Sequence, residues 1–432
     1  MAIAITVVAC SYTTPPTKTP PPNDQKIDKG AFVTTSAPAN GIKTLVAGSG
    51  GSNVNYAKNF VCGWAPISEV GYISEMTLVH GAHTLPACNI QFIITKEALV
   101  GKQVNPSVPP KDWATVITIP ITKHFNYRYS KDKYNRETKD LIYDDTQDNW
   151  DARGSMTLDY TRLEMHDFAY EMLWGGTRIV SVSDVEQSTT KDGKTFLGMT
   201  LSVTSPYFGR YHQAQIRMNF LEFDSESVAS FPPRLFDDNN SNFVGAIWGM
   251  GKNIDGVTPL QYVARWDLRP QSLPHEICLN GFTGNDATTI AAKKIALESI
   301  DIWNEALIKA KAIPPGSKAF VASSRQMGFD FDLRCPSITY VADRRISDYS
   351  PLGIAMAQAD VNNGKILWGG MVIYGGALQG YIERYRGRSA ISENPAGAVF
   401  SEKTNQMVYG ANPFTDIKAP KANQPIASGR YS

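Results

Sequence analysis

The chain has 432 residues, which is enough for two or three domains with well-formed hydrophobic cores. Its 42 Lys and Arg residues balance 41 Asp and Glu residues, so neither a nucleic-acid-binding surface nor an acidic tail is expected. Aromatic residues make up 10% and charged residues only 19%, which favours an extracytoplasmic β-rich protein over a cytosolic helical one. No apolar run reaches the roughly 18 residues that a membrane-spanning helix needs.

The first ten residues, MAIAITVVAC, resemble the apolar part of a secretory signal peptide that lacks a basic start. Val7–Cys10 resembles a bacterial lipobox, in which cleavage exposes a cysteine that becomes lipid-modified. The Pro- and Thr-rich segment that follows is typical of an unfolded tether. We therefore expect a signal-peptide remnant at residues 1–9 and a lipidated Cys10 with its tether at 10–30. Such a chain would be anchored in the cell envelope, at the outer membrane or the cell surface; the alternative is a buried N-terminal strand.

Residues 31–260 alternate short β-branched runs with breaks of Gly, Ser, Asn and Pro, as strands of a sandwich or barrel do. This spacing predicts a β-rich N-terminal region, either one unit or two subdomains. The charged stretch Tyr127–Asp151 is expected to be a surface excursion. Asp192-Gly193 predicts a tight hairpin turn between two strands.

One long amphipathic helix is predicted in the stretch GNDATTIAAKKIALESIDIWNEALIKAKAIPPG. Asn285 or Asp286 can accept hydrogen bonds from its first free N–H groups, and the Pro-Pro-Gly at its end stops it. Trp303 is expected to anchor the helix in the core. The face expected to be buried consists of Ile295, Ser299, Ile302, Trp303, Ala306 and Ala310.

A turn followed by a strand is predicted in ADVNNGKILWGGMVIYGG. Asn362-Asn363-Gly364 suits a tight turn, because Asn and Gly tolerate positive φ. ILWGGMVIY reads as a strand with two central glycines, which weaken a strand unless a close backbone approach or a bulge requires them.

The order of these elements resembles the upper half of the catalytic domain of metzincin-type zinc metalloproteases, in particular large bacterial envelope lipoproteins. In that family a run like Trp303–Leu307 closes the first long helix, and a turn like Asp360–Leu367 leads into the strand lining the substrate cleft. Phrases similar to the family also occur at Arg136–Thr161 and Phe231–Gly245. The resemblance implies an α+β chain whose residues 261–432 form the upper part of an incomplete catalytic domain.

The resemblance also implies zinc as the cofactor of the full-length family, and a peptide or protein as its substrate. In metzincin-like enzymes the equivalent edge strand pairs with an extended substrate through main-chain hydrogen bonds. The substrate-strand candidates carried over in this way are Trp368, Gly369, Gly370, Met371 and Val372. The alternative is an ordinary core strand with a glycine bulge.

Zinc-dependent hydrolysis needs protein ligands and a carboxylate base, which His-Glu-x-x-His presents on one helix face. Of the six histidines, only His275 precedes a Glu, and Leu279 stands where the second His would be, in a strand-like run. His80 and His83 are expected to be loop residues. Asp330 and Asp332 lie two residues apart on a predicted strand and could bind calcium. Asp332 is instead expected to be a structural polar residue at the start of that strand. No catalytic or metal-binding residue is therefore assigned.

Four cysteines besides Cys10 lack Cys-x-x-Cys spacing, which argues against a zinc knuckle. In an oxidising compartment they can form two disulfides. The expected pairs are Cys62 with Cys88 and Cys278 with Cys335, since each pair lies within one predicted domain. Free buried thiols are the alternative.

Three hypotheses for the function remain open at this stage. The first is a fragment of an envelope zinc metalloprotease that ends before its His-Glu-x-x-His helix. The second is a catalytically inactive, protease-derived lipoprotein that binds extended peptides. The third is a purely structural β-rich surface lipoprotein. In the tail, Ala377–Ser432, the stretch LQGYIERYRGRS predicts one short helix.

Overall fold

A computed structural model of the chain describes a large part of these 432 residues. The described residues are 26–34, 43–44, 55–68, 88–166 (without 107, 132, 136 and 145–148), 178–234 (without 208–209 and 228), 247–253, 259–342 (without 326 and 328–331), 353–375, 398–401 and 406–409. The predicted signal-peptide remnant and Cys10, the loop histidines His80 and His83, and the predicted tail helix lie outside them.

The strands of the front part are, in chain order, β1 (Lys26–Asp28), β2 (Val33–Thr34), β3 (Lys43–Thr44), β4 (Asn55–Ala57), β5 (Asn59–Ser68), β6 (Asn89–Ile94), β7 (Ala98–Gln103), β8 (Thr115–Lys131), β9 (Glu137–Asp144), β10 (Ser155–Leu158), β11 (Glu164–Met165), β12 (Arg178–Thr189), β13 (Thr195–Tyr207) and β14 (Arg210–Phe223). The remaining elements are β15 (Ile247–Asn253), β16 (Pro259–Val263), β17 (His275–Asn280), α1 (Ala287–Lys309), β18 (Phe320–Ser323), β19 (Ser337–Val341), β20 (Gly353–Ala359), β21 (Ile366–Tyr374), β22 (Ala398–Ser401) and β23 (Gln406–Tyr409).

The front part is built on one eleven-stranded antiparallel sheet that is nearly closed. Its main path runs β1-β10-β8-β7-β6-β5-β14-β13-β12, and β9 and β11 both pair with β8. Residues from both ends of this path share one buried cluster: Ile27 on β1 belongs to it, and the partly buried Val182 on β12 packs against it. The prediction of a β-rich, barrel-like region is therefore confirmed, and we call this sheet the barrel.

Aromatic rings fill the centre of the barrel. Phe92 lies with its ring centroid 5.3 Å from those of Phe32, Phe60 and Phe220, in edge-to-face geometry. All four side chains are fully buried. Rings packed in this way add about 0.5–1.5 kcal/mol per pair to the free energy of burial.

Two predictions for the front part need correction. The stretch Tyr127–Asp151 is not simply a surface excursion, because Glu137–Asp144 pairs with the second half of the long strand β8. The predicted tether also ends earlier, because β1 begins at Lys26 and pairs with β10. The predicted hairpin turn is confirmed: Gly193 has φ +80° between β12 and β13.

The second main unit is a five-stranded sheet in the order β18-β17-β19-β21-β20. The first four of these strands pair in parallel, whereas β20 is antiparallel to β21 and lies at the edge. Helix α1 makes the crossover from β17 to β18, as parallel neighbours require. We call this unit the mixed sheet.

Helix α1 begins where the sequence predicts, with the Asp286 side chain accepting a hydrogen bond from the Thr289 N–H. The prediction of which face of α1 is buried is wrong. The buried positions are Thr289, Ala292, Ala296, Ile300 and Asn304. Trp303 is 61% exposed, so it does not anchor the helix in the core. The small residues of the true face allow α1 to approach the sheet closely, which a stripe of large side chains would prevent.

Both expected cysteine pairs are disulfides in the structure: Cys62 is bonded to Cys88, and Cys278 to Cys335. The first links β5 to the residue before β6 within the barrel, and the second links β17 to the segment before β19 within the mixed sheet. Each main unit therefore carries one covalent cross-link.

Candidate functional site

The antiparallel edge strand β20 is the candidate site. Its seven residues, GIAMAQA, include no charge and no Pro, and its outer side has no pairing partner among the described residues. Natural edge strands usually carry charges, Pro or bulges that block the addition of another strand. The opposite edge, β18, has only four residues. Among the described residues, the β20 edge is therefore the longer one and, over residues 353–357, the one without blocking residues, as the addition of an extended polypeptide requires.

The candidates taken from the sequence, Trp368–Val372, lie one strand further in. Strand β21 pairs with β19 on one side and with β20 on the other, so its main chain is already satisfied. The expectation that these five residues form the sheet edge is wrong. Trp368 and Val372 are each 2% exposed and pack against the barrel, whereas Met371 is 40% exposed.

The two glycines of β21 make room for indole rings. A Cβ at Gly369 would lie 2.6 Å from the ring of Trp266, and one at Gly370 would collide with the ring of Trp368. Pairing with β20 continues without a break through both positions, so there is no bulge at this point. From the sequence, either a close approach or a bulge could explain the two glycines. The close approach of aromatic rings is the explanation that the structure supports.

A six-residue loop joins β20 to β21 and holds this hairpin in place. The Asp360 carboxylate accepts hydrogen bonds from the Ser225 hydroxyl (2.7 Å), the Asn362 N–H (2.9 Å) and the Asn363 side-chain amide (3.3 Å). Burial raises the pKa of Asp360, although these hydrogen bonds act in the opposite direction. Gly364 has φ +75°, as the predicted Asn-Asn-Gly turn requires.

The hairpin loop is inserted against the barrel. Asn89 on β6 donates a hydrogen bond to the Ala359 carbonyl (2.9 Å) and accepts one from the Val361 N–H (3.0 Å). The Gln358 side chain accepts a hydrogen bond from the Cys88 N–H (2.9 Å). The Val361 side chain also forms a small buried cluster with Val104 and Trp113, which lie in the connection between β7 and β8. The end of β20 is therefore positioned by the barrel and not by the hairpin alone.

A group of four charged side chains fixes the other side of the same loop. The fully buried carboxylate of Asp267 accepts hydrogen bonds from Arg269 and from Ser272, and Lys365 lies 3.1 Å from it. Hydrogen bonds from Arg269 hold the pKa of Asp267 well below its usual range. Glu226 completes the group by pairing with Arg269 (2.8 Å) and with Lys365.

The pKa of Glu226 is lowered, as that of Asp267 is. Burial alone would raise the pKa of Glu226, but hydrogen bonds from Lys365 and Arg269 outweigh it and lower that pKa. The two negative charges of the carboxylates are balanced by the two positive charges of Arg269 and Lys365. Neither carboxylate is poised to take up a proton near neutral pH, so this group is a structural clamp and not an acid–base pair.

A second contact with the barrel is made by the segment that precedes β19. Arg334 pairs with the buried Asp332 (2.6 Å) and with Glu186 on β12 (2.6 Å), and its guanidinium lies 4.1 Å from the ring centroid of Phe196. The Trp368 N–H donates to the Asp332 carbonyl at 3.1 Å. The structural part expected for Asp332 fits this geometry, and Asp330 lies outside the described residues.

The described histidines do not fit a zinc site. His124 donates through Nε2 to the Lys96 carbonyl, and His275 donates through Nε2 to the Asp267 carbonyl. The Nε2 atom of His166 shares a hydrogen bond with the Thr118 hydroxyl. His275 stands on strand β17, as the sequence predicts. In the described ranges, no three His, Cys, Asp or Glu side chains come together as a metal-binding group. No step of a reaction is therefore assigned to zinc on this chain.

Comparison of the chain with protein-family models, with curated proteins and with solved structures gives no match. Within the described ranges, helix α1 lacks the apolar length that would let it cross a bilayer.

Two parts of this site were not found in the sequence. The stretch GIAMAQA was not recognised as the edge strand, because alternating Ala residues are a weak strand signal. The contacts of Asn89 were also missed, since a single Asn carries no indication of a partner some 270 residues away. The absence of charge and Pro in GIAMAQA was the one signal that could have marked it as an open edge.

Proposed function

We propose that this chain is a zinc-metalloprotease-like envelope lipoprotein, and that its mixed sheet binds an extended polypeptide along β20. The family assignment is based on the ordered phrases between Phe231 and Tyr374, and the lipoprotein assignment on Val7–Cys10. In this proposal residues 261–432 correspond to the upper part of a metzincin-like catalytic domain. The bound peptide would add a further strand to the sheet through main-chain hydrogen bonds.

The observation that carries the proposal is the uncharged β20 edge on a preorganised hairpin. Asn89, Asp360 and the four-residue charged clamp fix the loop before any ligand arrives. A rigid edge loses little conformational entropy on binding, so more of the main-chain hydrogen-bond energy remains as affinity. Side chains of the ligand would alternate between the barrel side and the open side of the sheet.

Binding is tested with a fluorescent peptide of about ten residues, in which Val and Thr alternate between terminal lysines. The same peptide N-methylated at alternate residues loses main-chain donors. Since each hydrogen bond contributes about 0.5–1.5 kcal/mol, loss of two should weaken binding roughly 5- to 150-fold. Equal affinity of the two peptides, measured by fluorescence anisotropy, would contradict strand addition.

The edge itself is tested by Ala355→Lys, which places a charge at an exposed position on β20. We expect at least a tenfold loss of peptide affinity, because an edge lysine blocks strand addition. Ala322→Lys is the matched control, as Ala322 is an exposed residue of the opposite edge strand β18. If both variants bind the peptide equally well, the ligand does not lie on β20.

A second candidate function is peptide binding without any catalysis, and the placement of the histidines favours it. His124, His166 and His275 each bind a different acceptor or donor and do not converge. We therefore expect the purified 432-residue chain to bind peptide without cleaving it. Chelator-sensitive cleavage of the same fluorescent peptide, followed by mass spectrometry, would contradict this expectation.

A further inference from the structure

A short segment before β10, residues 149–154, covers one end of the barrel core, and we call it the barrel cover. Its Trp150 side chain is partly buried and packs against the core cluster of the barrel. The ring centroid of His124 on β8 lies 5.0 Å from that of Trp150. His124 stands opposite Met156, which belongs to the core cluster and is the second residue of β10. His124 is therefore a polar side chain at the end of an apolar core.

The barrel cover is attached on two sides. Lys29, which follows β1, donates a hydrogen bond from Nζ to the Trp150 carbonyl (2.6 Å) and one from its main-chain N–H to the Gly154 carbonyl (2.8 Å). From the cover, the Arg153 guanidinium donates a hydrogen bond to the His124 carbonyl (2.9 Å). The cover is thus held by the residues around His124 and would be released if these contacts were lost.

The surroundings of the His124 ring suit its neutral form. His124 is only 6% exposed, and its Nε2 atom donates a hydrogen bond to the Lys96 carbonyl (2.9 Å). In the neutral ring Nδ1 then carries a lone pair and no hydrogen. Nδ1 is buried and has no hydrogen-bond partner among the described residues. A second proton would therefore create a buried cationic N–H without an acceptor, which is costly in free energy.

The charges around the ring also oppose a second proton. Burial lowers the pKa of His124 to about 4, and Lys29 and Arg153 add to this effect, while the Lys96 carbonyl and Glu97 act in the opposite direction. Burial lowers the pKa of Lys29 only to about 8, so Lys29 is positively charged wherever His124 titrates. Further charged side chains on the surrounding segments are Asp28, Lys96, Lys123 and Asp151; the first three are exposed, and Asp151 acts on Lys29 by raising its pKa.

We propose that the barrel cover is an acid-sensitive switch, in which protonation of His124 releases residues 149–154 and exposes Trp150 and the end of the barrel core. In the closed state the cover keeps water away from Nδ1. In the open state water solvates the protonated ring, and Lys29, no longer bound to the Trp150 carbonyl, can move away from it. This inference concerns the barrel and does not depend on the proposed peptide binding at β20.

The expected size of the effect follows from the two pKa values of His124. In the open state the ring has its ordinary pKa of 6.5, whereas in the closed state its pKa is about 4. The open state therefore binds the proton first, and the opening equilibrium shifts towards it as pH falls below about 6.5. Between pH 7.5 and pH 5 the equilibrium constant for opening should rise about 25-fold.

Amide hydrogen exchange at Gly154 tests the switch. The Gly154 N–H donates a hydrogen bond to the Asn126 side chain (2.6 Å), so its exchange requires opening of the cover. The exchange rate is divided by the rate of an unstructured amide at the same pH, and the ratio measures the opening equilibrium. In the wild-type chain this ratio should be about 25-fold higher at pH 5 than at pH 7.5.

Two variants separate His124 from other titrating groups. His124→Gln retains a side-chain donor for the Lys96 carbonyl but takes up no proton, so its ratio should change less than twofold over the same pH range. His166→Gln is the matched control, because His166 follows β11 and bonds to the Thr118 hydroxyl on the other part of β8. It should keep the full rise of the wild-type chain.

The amides of β6, in the core of the barrel, should stay protected at both pH values. A ratio at Gly154 that does not depend on pH in the wild-type chain would overturn the proposal, and so would an equal rise in His124→Gln. Loss of protection at β6 in parallel with Gly154 would also overturn it, because acid would then unfold the whole barrel and not release its cover.

Discussion

The barrel and the mixed sheet solve the same packing problem in different ways. The barrel encloses one large core in which Phe92 and its aromatic neighbours are fully buried. The mixed sheet has one helix, a small cluster under it, and a second cluster that it shares with the barrel through Trp368 and Val61. The barrel is thus stable through its own core, whereas the mixed sheet depends on the barrel and leaves the β20 edge unpaired among the described residues. The proposed peptide binding would use this division, with the barrel as the rigid support.

Removal of an aromatic ring from the barrel should have the largest effect on stability. Phe92→Ala leaves a cavity among Phe32, Phe60 and Phe220, and we expect the free energy of unfolding to fall by about 3–5 kcal/mol. Urea denaturation measures this change. Val180→Ala is the control, since Val180 is 63% exposed, and its effect should stay within about 0.5 kcal/mol. Comparable losses in the two variants would contradict the account of the barrel core.

The dependence of the mixed sheet on the barrel is tested at Asn89. Asn89→Ala leaves the buried Ala359 carbonyl and Val361 N–H without their partners, which should destabilise the chain by about 2–4 kcal/mol. Asn149→Ala is the control, because the exposed Asn149 side chain makes no capping hydrogen bond. If Asn89→Ala unfolds at the same denaturant concentration as the control, the barrel does not hold the hairpin.

Some features of the mixed sheet could be predicted from the sequence and others could not. The helix, its cap at Asp286 and the turn at Gly364 could be predicted, because local patterns determine caps and turns. The buried face of α1 could not, because its contacts are made by small residues and Asn304. Hydrophobicity alone selects Trp303, which is exposed. Which strand becomes the edge depends on pairing between distant segments, and no local pattern encodes that order.

The buried Asn304 tests how helix α1 is held on the mixed sheet. Its side chain accepts hydrogen bonds from the Ala319 and Phe320 N–H groups and donates one to the Phe320 carbonyl. Asn304→Ala should lower the free energy of unfolding by about 2–3 kcal/mol, because it leaves buried main-chain groups unpaired. The neighbouring exposed Glu305→Ala should change it by less than about 0.5 kcal/mol in the same urea titration. A reversed order of the two variants would contradict the observed burial of α1.

The barrel should also carry a pH dependence at His124. Burial lowers the pKa of His124 to about 4 from an ordinary 6.5. The unfolded chain therefore binds a proton at His124 before the folded chain does, so stability is lost as pH falls from about 6.5 towards 4. We expect up to about 3 kcal/mol from this residue. The difference between wild type and His124→Gln, measured by urea denaturation across this range, isolates it; a difference that does not vary with pH would contradict the assignment.

The smallest effect is expected for an exposed ion pair on α1. Lys294 and Glu298 lie 3.7 Å apart, and both side chains are more than half exposed. Lys294→Gln should change the free energy of unfolding by less than about 0.5 kcal/mol, and salt should reduce even that. A loss above 1 kcal/mol, on the order of a buried contact, would show that this surface of α1 is covered.

Amide hydrogen exchange with and without the alternating Val/Thr peptide tests strand addition at β20 most directly. The outward-facing amides of residues 353–357 in β20 should exchange at least tenfold more slowly with the peptide bound, because they then donate to its carbonyls. The amides of β18 and of the barrel core should not change. Slower exchange at β18, or binding without any protection of β20, would contradict the proposed site.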